Sequence, residues 1–600
     1  MNKAVLFLLF IFFEKNLSLT QQPGENTGEG DKKMKKKIIS LVMAAAMAAS
    51  MVACGSSSAT STDEAAATPS QQTETNEAVQ EVATVENSAD LTDPANINNS
   101  VKRDSITVGW KDATSLDPWG TRNDNPGNYE VYEMLYECTA KGELYPILAD
   151  ASKGSFEQGC DHEDGSNIYT VYIYDYIKDH AGNAVTASDV AFSYNYQFTN
   201  KSTSGWDDFV EARAVDDTTI EFEFAKEQTD LGWFVNFFAR CFIVNEDSFN
   251  ASASELANDM CGTGPYKFVS YTSGSSLVLE ANDDYWQTDE SLRHQEQQAN
   301  VQTITYQFVS ENAQRENGLS TGALDMVNDL AFESIGDFID GGKYQDLTNV
   351  QTYTQKFVYY LDPNCSTDSP CNDENLRKAI FSAVDVDGII TALGGAYTKL
   401  DAYACDYYTD YDMVDWASLD NYNTKTGVDA AEVQGYLDAS NYNGETLTLM
   451  VQPEFSNTAT IIAAQLAAYG INVELLQVDS ATATTTQADP TAWDLYFGMM
   501  AGEYNVQVWL HDFSYNNSAS GTETTGFIVD DEWNDMLNTV NSEAGHTSEN
   551  MQAWWEMAVE HAYCMGIYAG NSYNVVPASC TYVCQGDKLT LIPGACCFTE

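Results

Sequence analysis

Between Tyr169 and Tyr194 the chain carries a strand, a turn and a helix in immediate succession, and this unit constrains what the rest can fold into. Tyr169-Thr-Val171-Tyr-Ile173-Tyr-Asp175-Tyr-Ile177 is a run of β-branched and aromatic residues, which reads as a strand. Asp179 to Asn183 is a turn, where Gly182 and Asn183 can adopt positive φ. Thr186 stands at a helix N-cap position, and Asp189 three residues on is a short capping-box acid that also complements the helix dipole. Val190, Ala191, Tyr194 and Phe198 follow at helical spacing, so one helix face packs on the strand. Strands and helices alternate along the remaining chain, which predicts an α/β fold.

At 600 residues the chain exceeds one hydrophobic core, and two or three domains are expected. Its 34 Tyr and 11 Trp give ample apolar surface to bury. The formal charge of −61 excludes a basic footprint for nucleic acid and adhesion of the folded surface to anionic lipid. Such a surface keeps the chain soluble through self-repulsion and attracts cationic ligands.

Two apolar runs lie near the start. Ala4 to Phe13 is too short to span a bilayer and is followed by Glu14, Lys15 and a polar stretch. Met34-Lys35-Lys36-Lys37 opens a better pattern: a basic segment, an apolar run from Ile38 to Val52, then Met51-Val52-Ala53-Cys54. This resembles a bacterial lipoprotein signal. The resemblance implies Met34 as the start, residues 1–33 as an upstream artefact, 34–53 as signal peptide and Cys54 as the lipidated residue. Several acyl chains on one cysteine anchor stably. Residues 54–103 are acidic, rich in Ser, Thr, Ala, Glu and Gln, and nearly free of aromatics, the composition of a disordered tether.

The segment Asp179-His-Ala-Gly-Asn-Ala-Val-Thr-Ala-Ser-Asp-Val-Ala-Phe-Ser193 closely resembles a signature of extracytoplasmic solute-binding proteins of ABC importers, family 5, the oligopeptide-, dipeptide- and nickel-binding type. Further segments match that family in its order. They are Leu116-Asp117-Pro118, an amphipathic stretch from Tyr129 to Tyr136 where relatives carry a helix, and Gly142 to Ala149. Gly262-Thr-Gly-Pro-Tyr266, Asp284-Tyr-Trp286, Asn317 to Met326, Tyr359 to Asn364, Leu376 to Asp385 and Ile461 to Val473 complete the set. The ordered set covers roughly residues 104–510, and the last ninety residues match only loosely. The resemblance implies a two-lobed type II periplasmic-binding (Venus-flytrap) fold with an additional subdomain. The expected division is lobe I at 104–140, the extra subdomain at 141–260, lobe I again at 261–355, lobe II at 356–510 and a return to lobe I at 511–600.

Apart from Cys54 the cysteines number twelve, an even count that permits disulfides in an extracytoplasmic protein. Cys365 and Cys371 would close a small loop; Cys580, Cys584, Cys596 and Cys597 pair or bind zinc, with disulfides the favoured reading. Cys138, Cys241 and Cys261 remain candidates for free buried thiols. Cys160-Asp-His-Glu-Asp-Gly165 has metal-ligating residue types but lacks the rest of a calcium loop, and a solvated turn is the simpler reading. Six histidines spread over the chain argue against a nickel or haem carrier, and neither metal nor cofactor is expected. No nucleophile elbow, HExxH motif or phosphate loop occurs, so a catalytic role has no support in the sequence.

In peptide-binding relatives an acid at the second crossover pairs with the peptide ammonium. Trp493 to Tyr504 occupies that place; Glu503 matches the acid and Tyr504 the aromatic, while Met500 replaces the usual Trp. Glu503 is otherwise an ordinary surface acid. Arg122, with Asn123 in the loop after Pro118, would pair a ligand carboxylate or else be a solvated arginine. Tyr359 and Tyr360 line the cleft or form strand core. The expected function is ligand capture without turnover: a monomeric lipoprotein, held to the outer face of the bacterial membrane by its lipid alone, that delivers oligopeptides to ABC permease subunits. An oligosaccharide or other solute, a ligand sensor and a secreted hydrolase remain alternatives.

Overall fold

A computed structural model describes residues 91–97 and 101–599, apart from 112, 114, 121–124, 139–143, 155–159, 202–205, 207, 229–232, 340, 401–409, 426, 501–526, 529, 541, 543 and 587–589. These residues all fall within one unit, Glu81–Glu600. Its framework is an 11-stranded mixed sheet. The strands are β1 (Arg103–Trp110), β2 (Tyr266–Thr272), β3 (Ser276–Ala281), β4 (Val301–Phe308), β5 (Met326–Val327), β6 (Thr348–Pro363), β7 (Tyr397–Lys399), β8 (Leu447–Val451), β9 (Val473–Gln477), β10 (Leu495–Met500) and β11 (Met565–Pro577). Their order across the sheet is β2-β3-β4-β1-β5-β11-β6-β10-β8-β9, with β7 added on β11.

The sheet is continuous in hydrogen bonding but has two sets of cores. One end packs Ile106, Val108, Leu277, Leu279, Ile304 and Tyr306 on one face, and Val327, Leu330, Val350, Tyr573 and Val575 on the other. The far end packs Val358, Tyr360, Trp493 and Tyr496 on one face, and Leu361, Leu449, Phe497, Ile567 and Tyr568 on the other. Only β6 and β11 contribute to both ends. Thr348–Thr354 of β6 pairs with Asn571–Pro577 of β11, and Val358–Leu361 pairs with Met565–Ala569. The register shifts between Thr354 and Val358, at the position where the cores change. These ends are the two lobes of the sequence expectation, joined by a pair of crossing strands.

The unit around Tyr169 heads a separate four-stranded sheet, ordered Asp161–His162, Ile168–Tyr172, Thr219–Phe224 and Phe209–Ala214. The strand is shorter than the run of β-branched and aromatic residues suggests, because Ile173 pairs only as an isolated bridge with Ala149 and the chain then turns. Helix α1 (Ala187–Asn200) starts as expected, with Thr186 and Asp189 forming both arms of the capping box. Asp189 does more than cap: its Oδ1 also accepts from Asn245 Nδ2 at 3.1 Å and from Glu246 N at 2.8 Å, tying α1 to the next segment. Tyr194, Trp206, Phe222 and Phe237 fill this subdomain's own core.

Two short motifs meet where this subdomain joins the first lobe. His180 N donates to Gly262 O at 2.9 Å, and its Nε2 lies 2.9 Å from Gly264 O. Burial lowers the imidazole to a pKa of about 4, so it stays neutral. Gly262 and Gly264 are required by close approach: a Cβ at either would overlap the carbonyl oxygen of Val131 or Glu130.

The stretch from Tyr129 to Tyr136 departs from the helix implied by the resemblance. Helix ends after one turn, Asn128–Val131, and strands Glu133–Met134 and Tyr136–Cys138 follow. Buried polar contacts explain the break. Glu133 accepts from Tyr285 Oη at 2.5 Å, Trp286 Nε1 at 2.7 Å and Gln297 Nε2 at 2.8 Å, which fixes the backbone in extended form against Phe242 and Ile243.

Helices α2 (Asp531–Val540) and α3 (Ser548–Glu560) lie beyond residue 511, where the sequence expectation places a return to lobe I. Their Trp533, Leu537, Met551, Trp554 and Trp555 share the core of Tyr360 and Trp493. The chain re-enters the first lobe's core through the later half of β11. Cys365 and Cys371 are free buried thiols, as are Cys580, Cys584, Cys596 and Cys597, so the expected disulfides are not formed. Among the described residues no cluster of His, Cys, Asp and Glu could hold a metal, and no helix is long and apolar enough to cross a membrane.

Glu130 is 2% exposed and accepts from Tyr306 Oη at 2.6 Å. Burial raises its carboxyl to a pKa of about 7, against a partial lowering by the Tyr306 hydrogen bond. The native state therefore holds a proton that the unfolded chain releases, and stability falls as pH rises from about 4.5 to about 7. Glu130→Gln keeps the acceptor and should remove this dependence, worth about 3 kcal/mol across the window, in urea unfolding at stepped pH. An unchanged pH profile would contradict the assignment.

Candidate functional site: the cleft at the crossing strands

In an open α/β sheet, ligands bind beyond the carboxyl ends of the parallel strands. Here those ends converge on the crossing strands. In the first lobe β1 runs parallel to β4 and β5, and its end delivers Lys111, while the end of β5 delivers Asn328 and Asp329. In the second lobe β8 runs parallel to β9 and β10, and β8 is followed by Phe455 and helix α4 (Ser456–Ala467).

The second lobe presents an aromatic wall. Tyr359 on β6, opposite Met499 at the end of β10, is its centre. Its ring lies 4.8 Å from Tyr568, 5.5 Å from Phe455 at 87°, and 6.1 Å from Tyr397 at 80°. Tyr397 and Tyr568 are 4.2 Å apart. The strands place these rings: Tyr359 pairs with Tyr568 across β6 and β11, and β7 sets Tyr397 against Gly570. Tyr568 and Thr458 hydroxyls bond at 2.8 Å, which pins the wall to α4. Tyr359, Tyr397 and Phe455 are half-buried, so each keeps a face toward solvent. Burial pushes the Tyr359 phenol up to about 12, with the Tyr397 hydroxyl adding to the effect, and it is neutral at physiological pH.

Tyr360 points to the other face. It is 4% exposed and packs edge-on against Tyr496 at 5.7 Å in the second lobe's core. Asp362, on the same side, is fully buried; neither carboxylate oxygen has a partner among the described residues, and burial holds its carboxyl well above the ordinary range. Of the two tyrosines considered from sequence, Tyr359 therefore belongs to the wall and Tyr360 to the core. Arg122, Asn123, Glu503, Tyr504 and Cys54 lie outside the described residues.

The first lobe's rim is rigidly held. Arg315 Nη1 donates to the carbonyls of Asn328 and Asp329, each at 3.2 Å, and Asp329 N donates to Asn574 Oδ1 at 3.2 Å. Lys111 Nζ binds Asp329 Oδ2 at 2.5 Å. At the bulge between the lobes, Gln355 Nε2 donates to Ser572 Oγ, and Thr398 Oγ1 donates to Asn571 Oδ1 at 2.9 Å. Sequence reasoning missed Tyr397, Phe455, Tyr568 and Gln355, which come from four separated segments. The sheet register brings Tyr397, Tyr568 and Gln355 together, and the turn Pro453–Phe455 after β8 adds Phe455.

The family model for bacterial extracellular solute-binding proteins, family 5 (middle part), matches residues 143–525. The chain belongs to this family. Family 5 relatives include the oligopeptide-binding protein AppA of Bacillus subtilis, 22% identical over 483 residues, covering 75% of this chain and 83% of the relative. The "Probable D,D-dipeptide-binding periplasmic protein DdpA" of Escherichia coli is 23% identical over 303 residues, covering 49% of this chain and 55% of that relative's length. The structure of the Bacillus subtilis AppA in complex with a nonapeptide superposes with a TM-score of 0.59 at 17% identity, covering 84% of this chain and all of that one. Type II periplasmic-binding architecture is thus the fold of this family 5 chain.

Tyr568→Phe should leave the Thr458 hydroxyl without its partner and cost about 1–3 kcal/mol of stability in a denaturant titration. A loss no larger than that of an exposed control, Tyr176→Phe, would contradict the pinning of the wall.

Proposed function

We propose that this chain captures oligopeptides outside the cytoplasm and delivers them to an ABC importer without chemical turnover. The aromatic wall at the crossing strands supports this most directly. Its half-buried rings stand on the strands that join two lobes with separate cores, so a ligand touching both lobes would favour the closed state by its differential affinity. Extended peptides suit such a site, because main-chain hydrogen bonds give affinity without reading sequence, while the wall accommodates varied side chains. The names of the peptide-binding relatives point the same way. In this proposal Glu503 anchors the peptide ammonium, Tyr504 flanks it, and Arg122 with Asn123 meets the peptide from the first lobe. Cys54 carries the lipid that anchors a monomer to the membrane, and 54–103 is the tether. The proposed division keeps lobe I at 104–140 and 261–355 and the extra subdomain at 141–260. It extends lobe II from 356 through α3, because Trp554 and Trp555 share its core, and returns to lobe I within β11.

A thermal-shift screen of residues 81–600 against pooled di- to octapeptides and pooled oligosaccharides tests the reading. A ligand at a hundred times its dissociation constant adds about 2.7 kcal/mol of stability. We expect a shift with peptides that Glu503→Ala abolishes. A shift with oligosaccharides alone would overturn the peptide assignment.

A further inference from the structure

The second lobe holds a cavity of about 330 Å³ that shares no residue with the aromatic wall. Helix α3 borders it with Glu556, Val559 and Glu560, and the turn leading into Tyr422 adds Leu419, Asp420 and Tyr422 itself. The volume suits a small organic ligand. Three carboxylates line the cavity against one ammonium, Lys378, which is already bound to Glu374 at 2.6 Å. Lys425 is held by Glu432 at 2.7 Å and reaches Asp420 only at 4.0 Å. Glu556 accepts from Gln552 Nε2 at 3.1 Å, and Glu560 has no ion pair or hydrogen bond among the described residues. These two like charges stand one turn apart near the C-terminal, negative end of α3, whose last turn carries no basic residue. Both features are unfavourable until a cation is added. Tyr422 gives an independent indication. It is 9% exposed, and its hydroxyl has no hydrogen-bond partner among the described residues, although buried polar groups normally have one. Burial raises its phenol, so the hydroxyl keeps its proton and stays neutral.

We propose that this cavity is a second ligand site, separate from the peptide cleft, and that it takes a linear aliphatic diamine or polyamine. An ammonium group carries donors only, and carboxylates and the Tyr422 hydroxyl oxygen supply the acceptors it needs. One ammonium lies between Glu556 and Glu560 and relieves their repulsion at the helix end. A second meets Asp420. The methylene chain between them covers Leu419 and Val559, which a bare ion would leave in contact with water. A metal ion fits less well on a second ground: among the described residues no group of His, Cys, Asp and Glu is placed to hold one. A monoamine covers the apolar side chains but leaves at least one carboxylate uncompensated. The chain's −61 charge adds a long-range attraction for polycations.

The test is calorimetry on the full-length chain with spermidine, butylamine and calcium chloride, in about 0.15 M salt to screen exposed charges beyond roughly 8 Å. Spermidine should fill one saturable site about tenfold or more tighter than butylamine. Glu556→Gln combined with Glu560→Gln should weaken spermidine by about tenfold or more, and Tyr422→Phe by about threefold. Glu163→Gln combined with Asp164→Asn removes the same charge from an exposed turn of the extra subdomain and should leave spermidine binding unchanged. A circular-dichroism melt matching the parent establishes that each variant is folded. Equal weakening by the two double variants would reduce the effect to the overall charge and overturn the site. Spermidine binding that Glu556→Gln with Glu560→Gln does not change would place the amine elsewhere and overturn it too. So would calcium binding as tight as spermidine, or no saturable spermidine binding; none of these outcomes bears on peptide capture.

Discussion

Two strands carry the architecture. β6 and β11 pair from Thr348 to Leu361 with register shifts between Thr354 and Val358 and between Tyr359 and Tyr360, and each gives apolar side chains to one set of cores on one side of the first shift and to another on the other side. Packed cores do not deform continuously, so motion concentrates where neither core holds the chain. Gln355 and Ser572 bridge that point, and Gly570 leaves room for the Gln355 side chain: a Cβ there would stand 2.7 Å from Gln355 Oε1. This point is a short gap both in side-chain packing and in the ladder between β6 and β11, and it is where the proposed closure would hinge.

The same strands build the wall. Alternation along β6 sends Tyr359 to the half-buried wall and Tyr360 into the core, and the pairing of β6 with β11 and of β11 with β7 stacks Tyr359, Tyr568 and Tyr397 without loops. In the proposed reading, the surface that meets the ligand and the point about which the lobes turn are one structure. A ligand resting on the wall sits within a few residues of the point about which the lobes turn, and small contacts there act on the whole equilibrium.

Much of this was legible in the sequence and some was not, for identifiable reasons. The capping box at Thr186 and Asp189, the turn at Gly182 and the tight approach at Gly262 and Gly264 are local, and local chemistry specifies them. The helix implied over Tyr129–Tyr136 fails because Glu133 is held by Tyr285, Trp286 and Gln297, residues some 150 positions away whose contacts override local preference. The cysteine spacings suggested bridges, but spacing does not fix the direction of side chains, and the thiols are free. Of the site residues, Tyr359 was identified because it stands in a crossing strand. Period-two alternation alone should have separated it from Tyr360. Tyr397, Phe455 and Tyr568 carry no local signal, since strand order makes the two tyrosines neighbours and the turn after β8 brings Phe455 to them.

The central claim is that ligand bound at this wall closes two lobes about the shift in β6. Small-angle scattering of residues 81–600, recorded alone and with a saturating peptide identified by calorimetry, measures it most directly. The account predicts a smaller radius of gyration with peptide, and a loss of that contraction when a disulfide engineered across the mouth holds the lobes closed beforehand. Scattering that is unchanged by a peptide shown to be bound would contradict it.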